Sequence, residues 1–243
     1  MVTLKRWHQA QQYERSFWED LAGKIERGAL TQLDWYAWKA REVERRLSKF
    51  VAADTKGTAR ILEIGSGPLG IVNFLEWGEC FAIDPLENFY RESKALTELR
   101  TSRVTYLAGP GEHLPFEDGF FSLVIIDNVI DHTYAPGKIL QQIRRVLDTN
   151  GLLYLAVSVH TGWGALLHRL VAMLSIDTGH PYTFTPVAAR ELLLRHRFTI
   201  CEEEAEDYRR SKQQNCRSKS WRDKVKGYTG LSEFQFHAIA RTS

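Results

Sequence analysis

The chain has 243 residues, 44% hydrophobic and 26% charged, with a formal net charge of +2. That is enough for one α/β domain with an appendage, and a charge too balanced to name a nucleic acid or any other partner. The first residues hold no apolar h-region and no apolar run reaches about 18 residues, so neither a secretory signal nor a membrane span is expected, and the reading is cytoplasmic.

Cys80, Cys201 and Cys216 have no metal-ligand spacing. A reduced protein without a metal site is expected.

Residues 1–52 read as a helical cap. Trp7, Tyr13, Phe17, Trp18, Leu21 and Ile25 recur at three and four residues, which makes one apolar face. Gly28 ends that pattern. Thr31 or Asp34 is placed to cap a second helix running to about Phe50, with Trp35, Trp38, Val43 and Leu47 inward. These rings either glue the helices to the main domain or roof an aromatic or sugar-like ligand. Residues 53–58 are the linker into the domain at 53–243.

From Arg60 the chain alternates strand and helix. Strands are predicted at 60–64, 80–84, 103–107, 122–127, 152–158, 197–203 and 234–241. Helices are predicted at 68–76, 88–99, 136–147, 162–175 and 186–196. Such alternation means a mostly parallel sheet covered on both faces. No helical pattern is read between the last two strands, so they are paired antiparallel. Ligands of these sheets bind at the carboxyl ends of the strands, where the strand order reverses. Gly65–Gly67, Asp84, the 109–113 loop, Asp127–His132 and Ser158–His160 then surround one cleft.

The first strand, Ile61-Leu62-Glu63-Ile64, ends in Gly65-Ser66-Gly67-Pro68-Leu69-Gly70. Glycines let backbone N–H groups approach a ligand without Cβ atoms in the way. The second strand ends in Asp84, placed to accept hydrogen bonds from both hydroxyls of a ribose. A nucleoside cofactor follows. Gly65-x-Gly67-x-x-Gly70 with Asp84 also satisfies the dinucleotide fingerprint, so a nicotinamide dehydrogenase stays open as a reading. Glu63 argues against it, because a carboxylate two residues before the first glycine repels a pyrophosphate and suits an ammonium.

Five stretches carry a resemblance: L-E-I-G-S-G at 62–67, A-I-D-P at 82–85, G-E-H-L-P-F-E-D-G-F-F-S at 111–122, D-N-V-I-D-H at 127–132 and R-R-V-L-D-T-N-G-L-L-Y-L at 144–155. Over roughly 60–160 the chain resembles the class I S-adenosylmethionine-dependent methyltransferases. The nearest branch is the small-molecule one, with ubiquinone/menaquinone C-methyltransferases and many O-methyltransferases. The resemblance implies an α/β, Rossmann-like seven-stranded sheet of order 3-2-1-4-5-7-6, its last strand antiparallel. It implies S-adenosyl-L-methionine as cofactor, with Glu63 and the Gly65, Ser66 and Gly67 backbone at the methionine end. Asp84 would take the ribose hydroxyls, Pro85 would pack near the adenine, and Gly111 and Glu112 would lie beside it. Asp127 and Asn128 would line the mouth for methyl transfer. Two positions depart from the family pattern. Leu69 stands where a third glycine is usual, with Gly70 restoring the turn one residue late. Pro110 stands where an Asp commonly binds the adenine amino group.

A hydroxyl acceptor needs a general base, and a histidine suits that task at neutral pH. His132 and His160 follow the fourth and fifth strands and are the expected bases. Asp127 either orients a histidine or binds substrate, and it and Asp131 could simply cap the next helix. His113 and His180 are further candidates. Residues 162–176 show helical apolar spacing and read as a packed helix, an acceptor lid or a membrane-surface helix. Residues 209–226 hold eight basic residues and one acid, Asp223. They read as a solvated insertion, or as an arm for a phosphorylated acceptor, an anionic membrane or RNA. The fourth strand lacks the Asn/Asp-Pro-Pro-aromatic signature of base methylation, so nucleic acid is not the expected partner.

The reading is a methyltransferase acting on a small-molecule acceptor, at an oxygen of a sugar, polyketide or similar metabolite. The alternatives are a lipid-linked or RNA acceptor held through the basic segment, and a non-catalytic S-adenosylmethionine-binding protein of the same fold. Peripheral membrane contact stays open, and the sequence names no oligomeric state.

Overall fold

A computed structural model describes residues 2–28, 33–173 and 180–242. At its centre is β1 (Arg60–Ile64), whose Ile61, Leu62 and Ile64 are all buried. A strand apolar on both faces belongs inside a sheet covered on both sides. β2 (Glu79–Asp84) and β4 (Phe121–Asp127) flank it, both parallel, and β3 (Val104–Ala108) lies outside β2. β5 (Leu147–Val159) follows β4. β7 (Phe234–Thr242) is antiparallel to β5, and β6 (Phe198–Ala205) closes the far edge. The order is 3-2-1-4-5-7-6, as expected.

Register sets the site. Ile64 lies opposite both Ile83 and Ile126. The next residue of each strand is Gly65, Asp84 and Asp127, so these three leave the sheet side by side.

The two faces are covered by different parts of the chain. Helices α5 (Pro136–Val146) and α7 (Pro186–Arg195) press Ile139, Leu140, Ile143 and Leu193 onto Leu62, Ile64, Val124 and Ile126. On the other face α1 (Leu4–Glu26) and α2 (Asp34–Leu47) press Trp18, Leu21, Tyr36, Val43 and Leu47 onto Ile61, Leu123, Ile125 and Tyr154. The N-terminal helices thus form one layer of the fold.

That layer stands in for an expected element. The helix predicted at 68–76 is a single 3-10 turn, Ile71–Phe74, between Gly70 and Gly78, both at φ +77°. As α-helix, residues 71–77 would rise about 10 Å, short of the roughly 16 Å length of β1 that they must retrace. The helix predicted at 88–99 is broken at Ser93, whose backbone is extended, into α3 (Glu87–Glu92) and α4 (Lys94–Thr97). The helix at 162–175 is seen as α6 (Gly162–Met173); its last two residues, and the cap candidate Thr31, lie outside the described residues.

The basic segment is not the expected loop. It forms two helices, α8 (Tyr208–Arg217) and α9 (Trp221–Thr229). The side chain of Asp207 caps the first, that of Ser220 caps the second, and Gly230 in the left-handed region ends it. The helices meet closely at Gly227, where a Cβ would stand 2.7 Å from Cys216 Sγ. No residue of α8 is buried, so no apolar period marked it in the sequence.

Candidate functional site

A cavity of about 480 Å³ opens at the carboxyl ends of β1, β2 and β4. Its volume lies in the range of small-ligand sites.

The glycine turn forms its floor. Gly65 and Gly67 lie at φ +70° and +61°. A Cβ at Gly65 would fall 2.3 Å from Val129 Cγ2, and one at Gly67 2.4 Å from the Tyr36 hydroxyl. Gly70 completes the turn in place of Leu69, which is buried. Arg100 and Tyr106 brace the turn from behind: Arg100 Nε donates to the Pro68 carbonyl at 2.7 Å and Tyr106 Oη to the Leu69 carbonyl at 2.7 Å. Gly67→Ala is expected to cost about 2 kcal/mol, through left-handed strain and displacement of Tyr36. Thermal unfolding of the variant checks this.

Two buried carboxylates face the cavity. Glu63 Oε2 accepts the Val72 N–H at 3.0 Å. Burial is the chief cause that pushes Glu63 up to about 8, with Asp127 adding to it. Asp84 accepts the N–H groups of Gly67 (2.9 Å) and Leu86 (2.8 Å), and burial pushes it up to about 6. Ser66 is buried in the same turn, and Pro85 and Gly111 line the wall. Glu112 lines it too, but its Oε1 accepts the N–H groups of Tyr134 and Ala135 at 2.9 and 3.0 Å. That oxygen holds the start of α5.

The N-terminal helices supply the remaining wall. Trp18, Trp35, Tyr36 and Lys39 all face the cavity. Tyr36 Oη donates to the Ser66 carbonyl at 3.1 Å. Lys39 Nζ pairs with Asp127 Oδ1, which also accepts from Asn128 Nδ2. Asp127, expected to act in catalysis, is therefore held by a lysine that no local pattern disclosed. Asn128 is equally engaged: its Oδ1 accepts from Ser158 Oγ (3.0 Å) and Gln235 Nε2 (3.3 Å). Lys39→Met leaves a nearly buried carboxylate without its cation. Because Lys39 is itself partly exposed, a loss of about 2 kcal/mol is expected, read as a fall in Tm of roughly 4–8 °C.

The far end of the cavity holds histidines. The N–H of Tyr182 donates to the Asp131 carbonyl (3.1 Å) and its hydroxyl to the Tyr134 carbonyl (3.0 Å). This pins the 180–184 segment against the turn after β4. The His180 ring then lies 4.6 Å from that of His132. Carboxylates of Asp131 and Glu14 stand 3.6 and 3.9 Å from the two His132 nitrogens. Asp131, His132 and His180 offer ligand atoms within 4.8 Å of one another. The three are close enough to be a candidate group for a metal ion.

His160, the other expected base, is outside the cavity. β5 runs on to Val159, and the His160 N–H donates to the Phe184 carbonyl at 2.9 Å. The ring turns away and stacks on His168 at 4.7 Å, where burial pulls it down to about 4. His113 is exposed and does not line the cavity.

Comparison with known proteins agrees with this geometry. Residues 62–155 match the methyltransferase-domain family model. Over those residues the chain is similar to methyltransferase domains. A Schizosaccharomyces pombe protein named as an uncharacterized methyltransferase is 26% identical over 127 residues, 48% of this chain and 45% of its own length. The match thus spans under half of that relative. A Galdieria sulphuraria structure, described as a candidate sarcosine dimethylglycine methyltransferase, superposes at a TM-score of 0.63 with 15% identity, covering 84% of this chain and 85% of that one. Haemonchus contortus phosphoethanolamine N-methyltransferase 2, solved with phosphomonomethylethanolamine and S-adenosylhomocysteine, gives 0.59 at 17% identity, covering 81% and 51%. These two likenesses are of fold.

Class I methyltransferase domains use S-adenosylmethionine. The residues present fit it. A cradle without Cβ atoms, one buried acid for an ammonium and a second for a ribose diol suit a ligand with a cation at one end and no phosphate.

Proposed function

We propose that the protein transfers a methyl group from S-adenosylmethionine to a hydroxyl oxygen of a small metabolite, with His132 as general base. One observation supports this most. The same cavity is lined by Glu63 and Asp84 and by His132, which is set between two carboxylates. When bound, the cofactor supplies an electrophilic methyl on a sulfonium. Glu63 and the Gly65–Gly67 backbone hold its methionine end, and Asp84 its ribose. The chemistry that the cofactor would supply is displacement at its methyl carbon, in which the acceptor oxygen would gain the C–O bond and the sulfur would keep the electrons of the C–S bond. His132 takes the acceptor proton. Asp131 and Glu14 stand where they stabilise the positive charge that forms on the ring. The aromatic wall excludes water and aligns the acceptor, which supplies much of the acceleration.

The test is transfer of labelled methyl from S-adenosylmethionine across a panel of hydroxylated metabolites, beside calorimetric titration with S-adenosylhomocysteine and NADH. Uptake of S-adenosylhomocysteine and label on an oxygen are expected. Binding of NADH instead would sink the reading.

A further inference from the structure

Helices α8 and α9 extend from the sheet edge at β6 and β7. Arg209, Arg210, Lys212, Arg217, Lys219, Arg222 and Lys224 are all exposed. Among the described residues none of the seven has an ion-pair partner. Lys226, the eighth cation, is paired with Glu233 at 3.0 Å. Unbalanced cations at this density create a positive field that attracts an anionic partner.

The same surface carries large apolar side chains. Trp221 is 72% exposed, Val225 43% and Tyr228 76%. They follow one another at four and three residues, so they share a side of α9. α6 abuts this helix: Trp163 Nε1 donates to the Thr229 carbonyl at 3.1 Å, and Trp163 Cδ1 would touch a Cβ at Gly230. Trp163, Leu166 and Leu170 of α6 are each more than half exposed, again on one side of their helix. Three aliphatic side chains beside three exposed rings serve no base-stacking purpose. They suit the boundary between lipid headgroups and acyl chains, where Trp and Tyr settle and Lys and Arg meet phosphates.

We infer that α6, α8 and α9 together form a docking surface for an anionic lipid bilayer. The surface stands apart from the cofactor cradle, yet α6 reaches the acceptor end: its His168 ring lies 6.2 Å from that of His180. Docking would bring the mouth of the cavity to the membrane. No helix among the described residues is long and apolar enough to cross a membrane, so contact is peripheral.

The experiment is sedimentation of the full chain with phosphatidylcholine vesicles, with and without phosphatidylglycerol, over a range of salt. Binding to the anionic vesicles alone is expected, weakening as salt rises. Arg222→Glu with Lys224→Glu should weaken it at least about 25-fold, at roughly fivefold per basic residue near an anionic surface. Leu166→Ser with Leu170→Ser should weaken it roughly tenfold without changing its salt dependence. Circular dichroism and S-adenosylhomocysteine uptake should be unchanged in both, which shows that the variants fold. Absence of vesicle binding at low salt overturns the inference. So does equal binding to neutral vesicles, or binding of mixed-sequence RNA with no vesicle binding. None of these outcomes bears on the methyl-transfer reading, which rests on the cavity.

Discussion

Glu63→Gln is expected to make the cofactor-free protein more stable and to cripple its hold on the cofactor. In the folded chain burial pushes Glu63 up to about 8 from an ordinary value of 4.5. Below about pH 4.5 the carboxyl is neutral in both folded and unfolded chains. As pH rises from there toward 8, the unfolded chain ionises first and stability falls. Asp84, pushed up to about 6, adds the same sign over the lower part of that window. At neutral pH the Glu63 effect amounts to about 3 kcal/mol. Glutamine stays neutral and can still accept the Val72 N–H. A gain in Tm of roughly 5–10 °C at pH 7 is therefore expected, fading toward pH 4.5. Cofactor affinity should drop about 100-fold or more, because the ammonium then meets no carboxylate in a buried site. Wild-type binding should also release close to one proton per site near pH 7. Titrations in buffers of different ionisation enthalpy measure that release. Constant stability of the wild type between pH 5 and 8 would remove the argument.

His132→Gln is expected to lower kcat by about 10²–10⁴ once an acceptor is known, with the affinity for S-adenosylhomocysteine unchanged. The split separates a base from a wall residue, whose loss would raise KM and leave kcat nearly intact. His160→Gln is the control. Its ring packs on His168 away from the cavity, so kcat should stay within a few-fold of the wild type.

The sheet was legible because its strands announce themselves. Ile61-Leu62-Glu63-Ile64 and Leu123–Ile126 are apolar runs that stop at glycine or acid, and their order follows from alternation with helices. What escaped was built by contacts remote in sequence. Lys39 meets Asp127 across 88 positions, and nothing near either residue signals it. His180 reaches His132 because Tyr182 hydrogen-bonds to the turn after β4. His160 was misplaced for a local reason: β5 runs one residue past its predicted end, to Val159, and the His160 ring packs on His168. Helix α8 was missed because charge, not hydrophobicity, fills it, and in α9 the apolar spacing of Trp221, Val225 and Tyr228 was hidden inside the same charge run.

The seating of α1 and α2 also bears on how the chain is made. These helices are made before the strands that hold them, for their contacts lie on Ile125, Tyr154 and Ile239. Arg46 pairs with Glu204, and Trp18 packs beside the turn that begins only at Gly65. As the polypeptide leaves the ribosome, α1 and α2 wait with their aromatic faces exposed for a platform that does not yet exist. Such distant pairings slow folding and leave greasy surface open meanwhile. Slow refolding is the expected cost of walling the pocket with residues made before the sheet they rest on.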